Sequence, residues 1–244
     1  MPRFYRESFP SRESWLAVRR DGIGASDAAA ALQISPWVSI TQLWEEKTGR
    51  RQPKDLSGIE AVQRGVREEP VIRERFITDH PEFLVSYHEF DILHLTTHPY
   101  ITATLDGEIV ALDDVPRHGI EAGMRGVLEI KTGSYTTQRY LDAWTGDVLP
   151  EHYFAQVCQQ LLVTGWDFAW VQAKLFREDR TYSRGGNNLY LPEQYETFFL
   201  VSATDKAVRE SMDAVLDADR YLHDCIVGDT MPDVAVPTNR LRRA

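Results

Sequence analysis

The stretches TATLDG (102–107) and VLEIKTG (127–133) decide the fold of this chain. Each is rich in β-branched residues and ends in turn residues, which is typical of a short β-strand. Side chains alternate between the two faces of a strand, so Glu129 and Lys131 point to one face while the aliphatic residues beside them point to the other. Asp106 closes the earlier strand. We therefore expect the two strands to lie side by side, with Asp106, Glu129 and Lys131 meeting at one edge of a sheet.

These three side chains suit a reaction at a phosphate. The two carboxylates and the backbone carbonyl of Ile130 are hard oxygen donors of the kind that Mg²⁺ or Mn²⁺ prefers. The ammonium of Lys131 can orient a water molecule and balance charge on a phosphate in its transition state. An exposed ion pair between Glu129 and Lys131 explains the same spacing, so the spacing alone leaves both interpretations open.

The rest of the chain is predicted to contain helices before the strands and further helices after them. Predicted helices cover 13–20, 26–33, 39–48, 59–79, 150–164 and 191–226. Predicted strands cover 83–93, 100–105, 108–112, 126–131 and 168–175. This order predicts the α/β class, with one mixed β-sheet flanked by α-helices. We expect one domain over 1–244, with an N-terminal helical portion (about 1–80), a sheet core (about 81–175) and a long C-terminal helix (about 191–226).

The net charge of −10, from 27 basic and 37 acidic residues in 244, disfavours a protein that coats nucleic acid or an anionic membrane. It does not exclude a nucleic-acid enzyme, because the charge is unevenly distributed. Residues 1–20 hold five arginines against two acids, and the last six residues add three arginines. Residues 101–124 hold five acids against one base, where acids would serve a cation, and 205–233 hold eight against three. We expect the last window to form an outer face, away from any bound nucleic acid.

Two cysteines, Cys158 and Cys225, are too few for a zinc or iron–sulfur site, which needs about four soft ligands. Such low cysteine usage favours a reducing cytoplasm. No apolar run approaches the roughly 20 residues that span a bilayer, and residues 1–15 have no signal-peptide core. We expect a soluble cytoplasmic protein with no membrane partner.

The seven histidines form no convincing site, and we interpret them as structural or surface residues.

The pattern of Asp106, Glu129 and Lys131 resembles that of the PD-(D/E)xK nuclease superfamily. Further motifs resemble those of the YqaJ-type viral recombinases, the family that includes the bacteriophage lambda exonuclease. These motifs are RRDGIGASDAAAALQISPWVSITQLWEEKTG (19–49), GVREEP (65–70) and YFAQVCQQLLVTG (153–165). With the acidic motif they occur in family order between residues 15 and 175. The resemblance implies a restriction-endonuclease-like core.

The resemblance adds a third acid to the proposed metal site. GVREEP singles out Glu69, which on its own would be a solvated residue of the helix over 59–79, although Glu68 replaces the usual leucine of this motif. The implied metal ligands are Asp106, Glu129, Glu69 and the carbonyl of Ile130, and the implied cofactor is Mg²⁺, with Mn²⁺ as a substitute.

Tyr153, Gln156 and Gln160 share one helical face by their spacing, which by itself describes a polar helix surface. The resemblance assigns Gln156 to the active site near the attacking water, with Tyr153 beside it. Gln160 has less support, because the second glutamine of the family motif aligns with Cys158. We interpret Cys158 as a small buried residue.

The turn DGIGAS (21–26) leads into a predicted helix, and the amides at a helix N-terminus attract phosphate. Simple capping by Ser26 or Asp27 explains the turn equally well. The resemblance implies that Arg19 and Ser26 bind the 5′-phosphate of a DNA end. Trp15 also matches the family pattern, but we interpret it as a packing residue.

The function implied by the resemblance is a Mg²⁺-dependent 5′–3′ exonuclease that acts on ends of double-stranded DNA, releases 5′-mononucleotides and leaves a 3′ overhang. A homotrimeric ring, a single-strand annealing protein and a phage or prophage origin in a bacterial cell are implied as well. A RecB-like or Cas4-like nuclease of other polarity, or an endonuclease, is the first alternative. The Cas4-like version normally holds an iron–sulfur cluster with four cysteines, so the two cysteines of this chain count against it. The second is a non-catalytic DNA-end-binding module, against which the intact Asp106, Glu129 and Lys131 argue.

Overall fold

The computed structural model describes residues 2–146, 148–178 and 192–234, which form two β-sheets with helices packed on them. The strands are β1 (Phe4–Ser8), β2 (Ile23–Gly24), β3 (Phe83–Ser86), β4 (Asp91–Leu95), β5 (His98–Ala103), β6 (Gly107–Ala111), β7 (Arg125–Tyr135), β8 (Phe168–Arg177) and β9 (Gln194–Ser202). The helices are α1 (Arg12–Asp21), α2 (Ala28–Ala31), α3 (Ile40–Lys47), α4 (Glu60–Asp79), α5 (Gln138–Thr145), α6 (Glu151–Thr164) and α7 (Lys206–Val227). The predicted mixed α/β class is confirmed, whereas the prediction of one sheet is wrong.

The larger sheet has the strand order β3-β6-β7-β8-β9, and the smaller has the order β1-β4-β5-β2. In the larger sheet only β7 and β8 run parallel, and α6 lies in the connection between them. A parallel pair needs such a crossover, which usually contains a helix packed on the sheet. The crossover therefore places α6 against β7, which carries Glu129 and Lys131.

The predicted strand over 83–93 is two strands in different sheets, because the chain turns between them. Phe90, just before β4, has a φ of 60°, which non-glycine residues adopt uncommonly and mostly in turns. Strand β3 pairs with β6, whereas β4 pairs with β1 and β5. The predicted N-terminal helical portion therefore also contains strands, since β1 and β2 both belong to the smaller sheet.

The predicted pairing of strand 100–105 with strand 126–131 is wrong. Strand β5 lies in the smaller sheet, and the neighbour of β7 is β6, with Gly107 opposite Leu128. Asp106 immediately precedes β6, so it still lies beside the middle of β7. The expected convergence therefore depends on the strand after Asp106 rather than on the strand before it.

The predicted helix over 191–226 is wrong in its first part, and residue 191 lies outside the described residues. Residues 194–202 form β9, which pairs antiparallel with β8, with Phe168 opposite Ser202. Phe199 is buried and Phe198 is 43% exposed, the alternation of a strand at the edge of a sheet. Asp205 then caps α7, because its carboxylate accepts a hydrogen bond from the amide of Ala207.

Two apolar layers enclose the larger sheet. On one side α4 packs through Ile72 and Phe76, its buried apolar residues, onto a layer that includes Leu128. Val62 and Val66, which fit the helical spacing of α4, are exposed instead, because only the second half of α4 buries apolar side chains. On the other side α6, with α2, α3 and α7, packs on Val127 and its neighbours. Glu129 and Lys131 face this second side, opposite to Leu128, as predicted.

No helix among the described residues is both long and apolar enough to cross a bilayer. The acidic window over 205–233 lies mainly on α7, and its aspartates are mostly exposed, as expected of an outer face. Asp219 is the exception, because it is fully buried.

The carboxyl group of Asp219 has no hydrogen-bond partner among the described residues. Burial raises the pKa of Asp219 well above its usual value, the charge of Asp27 adds to this, and Lys47 opposes it. Lys47 is already engaged, because its ammonium lies 2.8 Å from Oδ2 of Asp27 and 2.5 Å from the carbonyl oxygen of Gly22. Asp219 therefore destabilises the fold whenever the unfolded chain is ionised at this position.

The substitution Asp219→Asn should raise the free energy of unfolding by more than about 1 kcal/mol at pH 8, because each unit by which folding raises the pKa costs about 1.4 kcal/mol once the unfolded chain is ionised. An acid whose pKa is raised by folding carries no ionisation penalty below its unfolded pKa of about 3.9, and this penalty grows as the pH rises above that value. The gain measured by urea denaturation should therefore be smaller at pH 5 than at pH 8. Asp213→Asn, an exposed change on the same helix, is the control and should stay within about 0.5 kcal/mol of wild type. A gain that does not depend on pH would contradict the assignment.

Candidate active site

Glu129 and Lys131 form a buried ion pair at the centre of the larger sheet. Nζ of Lys131 lies 2.6 Å from Oε1 of Glu129, and Glu129 is only 2% exposed. Strands β6 and β8 flank β7 on both sides. The interpretation of this pair as an exposed ion pair is therefore wrong.

Two glutamines from α6 complete the surroundings of Glu129. Gln156 donates from Nε2 to Oε1 of Glu129 at 2.6 Å and accepts from Nζ of Lys131 at 2.9 Å. Gln160 donates from Nε2 to Oε2 of Glu129 at 2.5 Å and to the carbonyl oxygen of Thr104 at 3.2 Å. Both carboxylate oxygens of Glu129 are thus held by hydrogen bonds, which is the condition for burying such a group at tolerable cost.

Gln160 is a site residue that the sequence motif supported weakly. It is fully buried, and it binds the carboxylate oxygen of Glu129 that Gln156 does not bind. The signal that could have identified it is the shared helical face of Tyr153, Gln156 and Gln160. Cys158 points away from this face into the apolar layer, where burial raises its thiol pKa, as expected of a small packing residue.

Tyr153 lies beside the ion pair, as predicted. Nζ of Lys131 is 4.8 Å from the centre of the Tyr153 ring, close enough for a cation–π contact. Desolvation raises the pKa of Tyr153, so its hydroxyl remains protonated near neutral pH. His152 packs on the same ring at 4.0 Å, so one of the seven histidines borders the site.

Asp106 is held in place from two directions. Its Oδ2 accepts a hydrogen bond from the amide of Ile130 at 2.7 Å, which fixes the carboxyl group against β7. Its carbonyl oxygen accepts a hydrogen bond from Nε of Arg73 at 2.7 Å, and the same guanidinium donates to Oε1 of Glu69 at 2.5 Å. Arg73 therefore links Glu69 to Asp106.

The sequence prediction missed Arg73. An arginine four residues after a glutamate on a helix is typical of an exposed pair. Here Arg73 is 8% exposed, and its guanidinium lies 3.6 Å from the centre of the Tyr87 ring. The spacing from Glu69 was the only available signal.

The carboxyl groups of Glu69, Asp106 and Glu129 lie in one another's electrostatic field. Desolvation raises the pKa of Asp106 well above its usual value, the charges of Glu129 and Glu69 add to this, and Lys131 opposes it. Desolvation also raises the pKa of Glu69, opposed first by Arg73. Burial disfavours the charged form of Lys131, but the negative charges of Glu129 and Asp106 outweigh it and raise the pKa of Lys131. An oxygen-lined centre with this excess of negative charge is chemically suited to a hard divalent cation.

The described residues do not gather three side chains of His, Cys, Asp or Glu closely enough to hold a metal ion directly. Glu69 binds Arg73, and Glu129 binds Lys131 and the two glutamines. These contacts occupy two of the acids, whereas the excess of negative charge around Asp106 suits a divalent cation. The assignment of Asp106, Glu129, Glu69 and the Ile130 carbonyl as its ligands stays a prediction.

Arg19 and Ser26 meet at the glycine turn, and their role in binding a 5′-phosphate stays a prediction. The guanidinium of Arg19 donates to Oγ of Ser26 at 3.0 Å. The predicted helix over 26–33 is shorter, because a 3₁₀ turn over Ala25–Asp27 precedes α2, and Asp27 accepts from the amide of Gly24 at 3.1 Å. Asp27 thus supplies the local capping contact, and the hydroxyl of Ser26 points to Arg19.

Gln159, the residue before Gln160 on α6, connects this helix to the glycine turn. Gln159 donates from Nε2 to the carbonyl oxygens of Ile23 at 2.8 Å and Thr102 at 3.0 Å, joining β2 and β5.

Trp15 packs against Phe90 with ring centres 6.1 Å apart, in agreement with its interpretation as a packing residue.

Residues 14–167, well over half of the chain, match the YqaJ-like viral recombinase domain. The chain belongs to this family. A segment of 176 residues is 31% identical to the uncharacterized protein YqaJ of Bacillus subtilis (strain 168) and covers 67% of this chain. It covers 46% of the Bacillus protein, so the match spans less than half the length of that relative. The predicted family is confirmed.

The fold is similar to those of solved exonucleases. The alkaline exonuclease LHK-Exo of Laribacter hongkongensis superimposes with a TM-score of 0.56 at 19% identity, over 88% of this chain and 95% of that one. A phage-related exonuclease of Haemophilus somnus 129PT gives 0.50 at 12% identity, over 85% and 96%. LHK-Exo in complex with dAMP gives 0.55 at 20% identity, over 88% and 95%. The predicted PD-(D/E)xK-like fold is confirmed.

If the chain has the nuclease activity that the sequence predicts, Gln160→Leu should lower its rate about 10- to 100-fold, because the change removes the donor that holds Oε2 of Glu129. The rate should be measured as single-turnover digestion of a linear duplex in Mg²⁺. Cys158→Ala, a buried change on the same helix that faces away from Glu129, is the control and should keep a near-normal rate. Equal rates for both variants would mean that Gln160 does not position Glu129.

Proposed function

We propose that this chain is a Mg²⁺-dependent 5′–3′ exonuclease that digests one strand of double-stranded DNA from its end. It would release 5′-mononucleotides and leave a 3′ single-stranded overhang for recombination by strand annealing. The observation that carries this proposal is the buried contact of Glu129, Lys131 and Gln156 between β7 and α6. Membership of a viral recombinase family and a fold shared with exonucleases support the same class of activity.

Asp106 and Glu129 would hold the metal ion, with the Ile130 carbonyl and Glu69 completing the set of oxygen donors. Mg²⁺ is the cation that these donors suit, and Mn²⁺ would substitute for it. The bound ion would supply a Lewis acid that stabilises negative charge on the phosphate. Desolvation and then the negative charges of Glu129 and Glu69 raise the pKa of Asp106, and these two neighbouring charges support this assignment.

Lys131 and Gln156 would orient the water that attacks the phosphorus atom. Nζ of Lys131 lies 2.6 Å from Oε1 of Glu129 and donates to Oε1 of Gln156 at 2.9 Å, so its ammonium is held as a hydrogen-bond donor. Gln156 accepts from this ammonium and donates to Glu129, which fixes the direction of both groups. Such preorganised donors stabilise a transition state without rearranging during the reaction.

Arg19 and Ser26 would bind the 5′-phosphate of the DNA end. A guanidinium with a neighbouring hydroxyl suits a dianionic phosphate, and these two groups already lie 3.0 Å apart. Gln159 contacts this turn and Gln160 contacts Glu129, and both residues belong to α6. This helix would therefore keep the bound 5′-phosphate at a fixed distance from the phosphodiester bond that is hydrolysed.

We further propose, from the family relationship, a homotrimeric assembly and a partnership with a single-strand annealing protein. The setting would be the cytoplasm of a bacterial cell that carries the phage or prophage. LHK-Exo has been solved in complex with dAMP, which is a mononucleotide. Mononucleotides are the class of product proposed for this chain.

Linear duplexes labelled at one 5′ end or at one 3′ end should distinguish the proposed polarity from its alternatives. We expect the 5′ label to be released first as a mononucleotide, while covalently closed circles of the same sequence stay intact. Early release of the 3′ label would indicate the opposite polarity, and cleavage of the circles would indicate an endonuclease. Binding of duplex ends without any digestion in Mg²⁺ or Mn²⁺ would indicate a non-catalytic module.

Arg19→Ala should reduce the preference for 5′-phosphorylated over 5′-hydroxyl ends, because it removes the charged donor beside Ser26. The measurement is the ratio of initial rates on the two kinds of end. Arg20→Ala removes an exposed arginine from the same turn of α1 and is the matched control. A preference that is unchanged in Arg19→Ala would place the phosphate site elsewhere.

A further inference from the structure

Trp37 is a large apolar side chain held out into solvent beside the candidate active site. It lies between α2 and α3 and is 65% exposed. The hydroxyl oxygen of Ser35 accepts hydrogen bonds from the amides of Trp37 and Val38, both at 3.2 Å, which fixes the turn. Ser39 then caps α3. The backbone on both sides of the indole is thus constrained by hydrogen bonds.

A continuous series of rings connects this indole to the catalytic lysine. The Trp37 ring lies 4.6 Å from the His152 ring in an edge-on arrangement and 6.0 Å from the Tyr153 ring. The Tyr153 ring in turn lies 4.8 Å from Nζ of Lys131. Trp144 borders Tyr153 on another side at 5.4 Å. Stacked bases in a strand lie about 3.4 Å apart, so Trp37 is within a few nucleotides of a phosphate at Lys131.

We propose that Trp37, supported by His152 and Tyr153, is a stacking platform for a nucleobase of the DNA strand bound at the active site. The inference rests on the proposed nuclease function and adds a base-binding site to it. Every base presents a flat π-face, so such a platform is tolerant of sequence, as a general exonuclease requires.

The surroundings of Trp37 favour a base over a protein partner. Its neighbours Pro36 and Ser39 are also exposed, but they are small, whereas stable protein interfaces bury about 1,200–2,000 Å². A single indole face matches the size of one base. Desolvation and the charge of Lys131 both lower the pKa of His152, so a neutral imidazole supports the indole at neutral pH.

The platform is tested with Trp37→Ala and Trp37→Phe on a 5′-phosphorylated duplex. Loss of one stacked base should raise KM for duplex ends, and the Kd from fluorescence anisotropy in EDTA, about 5- to 150-fold in the alanine variant. The phenylalanine variant should recover most of this loss. Tyr5→Ala is the matched control, because Tyr5 is a 44% exposed ring stacked on a histidine, His94, at 4.7 Å. It should bind and digest as wild type does.

A scan with a single abasic nucleotide, moved through the first five positions of each strand, locates the base. At one position the abasic nucleotide should raise the Kd of the wild-type protein for the duplex. At the same position it should not raise the Kd of Trp37→Ala any further. Equal abasic penalties in both proteins at every position, or an unchanged KM and Kd in Trp37→Ala, would overturn the platform. A change in oligomeric size by light scattering with no change in Kd would assign Trp37 to a protein contact instead.

The two proposals fail in different ways. If wild type and Tyr5→Ala digest DNA and Trp37→Ala does so with the same KM, only the platform is wrong. If wild type binds duplex ends without digesting them, the nuclease function is wrong and the anisotropy data alone decide the platform. If wild type neither binds nor digests, both proposals are wrong.

Discussion

The buried contact between Glu129 and Lys131 is the interaction on which the rest of the site depends. Removing two charges from water costs more than their attraction returns unless the remaining oxygens and protons find partners. Gln156 forms hydrogen bonds with both members of the pair, and Gln160 donates a hydrogen bond to the second carboxylate oxygen of Glu129. Both glutamines come from α6, which lies in the crossover between β7 and β8. The position of this helix on the sheet therefore determines whether the ion pair can remain buried.

A second constraint is that Asp106 must stay in place between two sheets. It follows β5 of the smaller sheet and directly precedes β6 of the larger one. Arg6 of the smaller sheet forms ion pairs with Asp91 at 2.7 Å and with Glu108 of the larger sheet, so it fastens the two together. Arg73 and the amide of Ile130 then hold Asp106 itself. The acids are thereby fixed by the protein's own contacts, as preorganised catalysis requires.

Local periodicity predicted the parts of the site that lie within single elements. The alternation of a strand placed Glu129 and Lys131 on one face, and the helical period placed Tyr153, Gln156 and Gln160 on another. Non-local contacts decided the rest. The apolar run containing Phe198 and Phe199 fits a helix equally well until it pairs with β8. The predicted strand over 83–93 is divided into β3 and β4 by the turn at Phe90. The burial of Arg73 depends on Tyr87 and Asp106, which are distant from it in the sequence.

The most direct test of the account is the single-turnover rate of duplex-end digestion by Lys131→Ala in Mg²⁺, compared with wild type. Circular dichroism would check that the variant is folded, and Asp106→Asn, which keeps the shape of its side chain, would serve as a second variant. Both folded variants should lose at least about 100-fold in rate, because each removes a preorganised charge at the reacting phosphate. A near-normal rate in either folded variant would contradict the assignment of the buried Glu129–Lys131 pair as the catalytic centre.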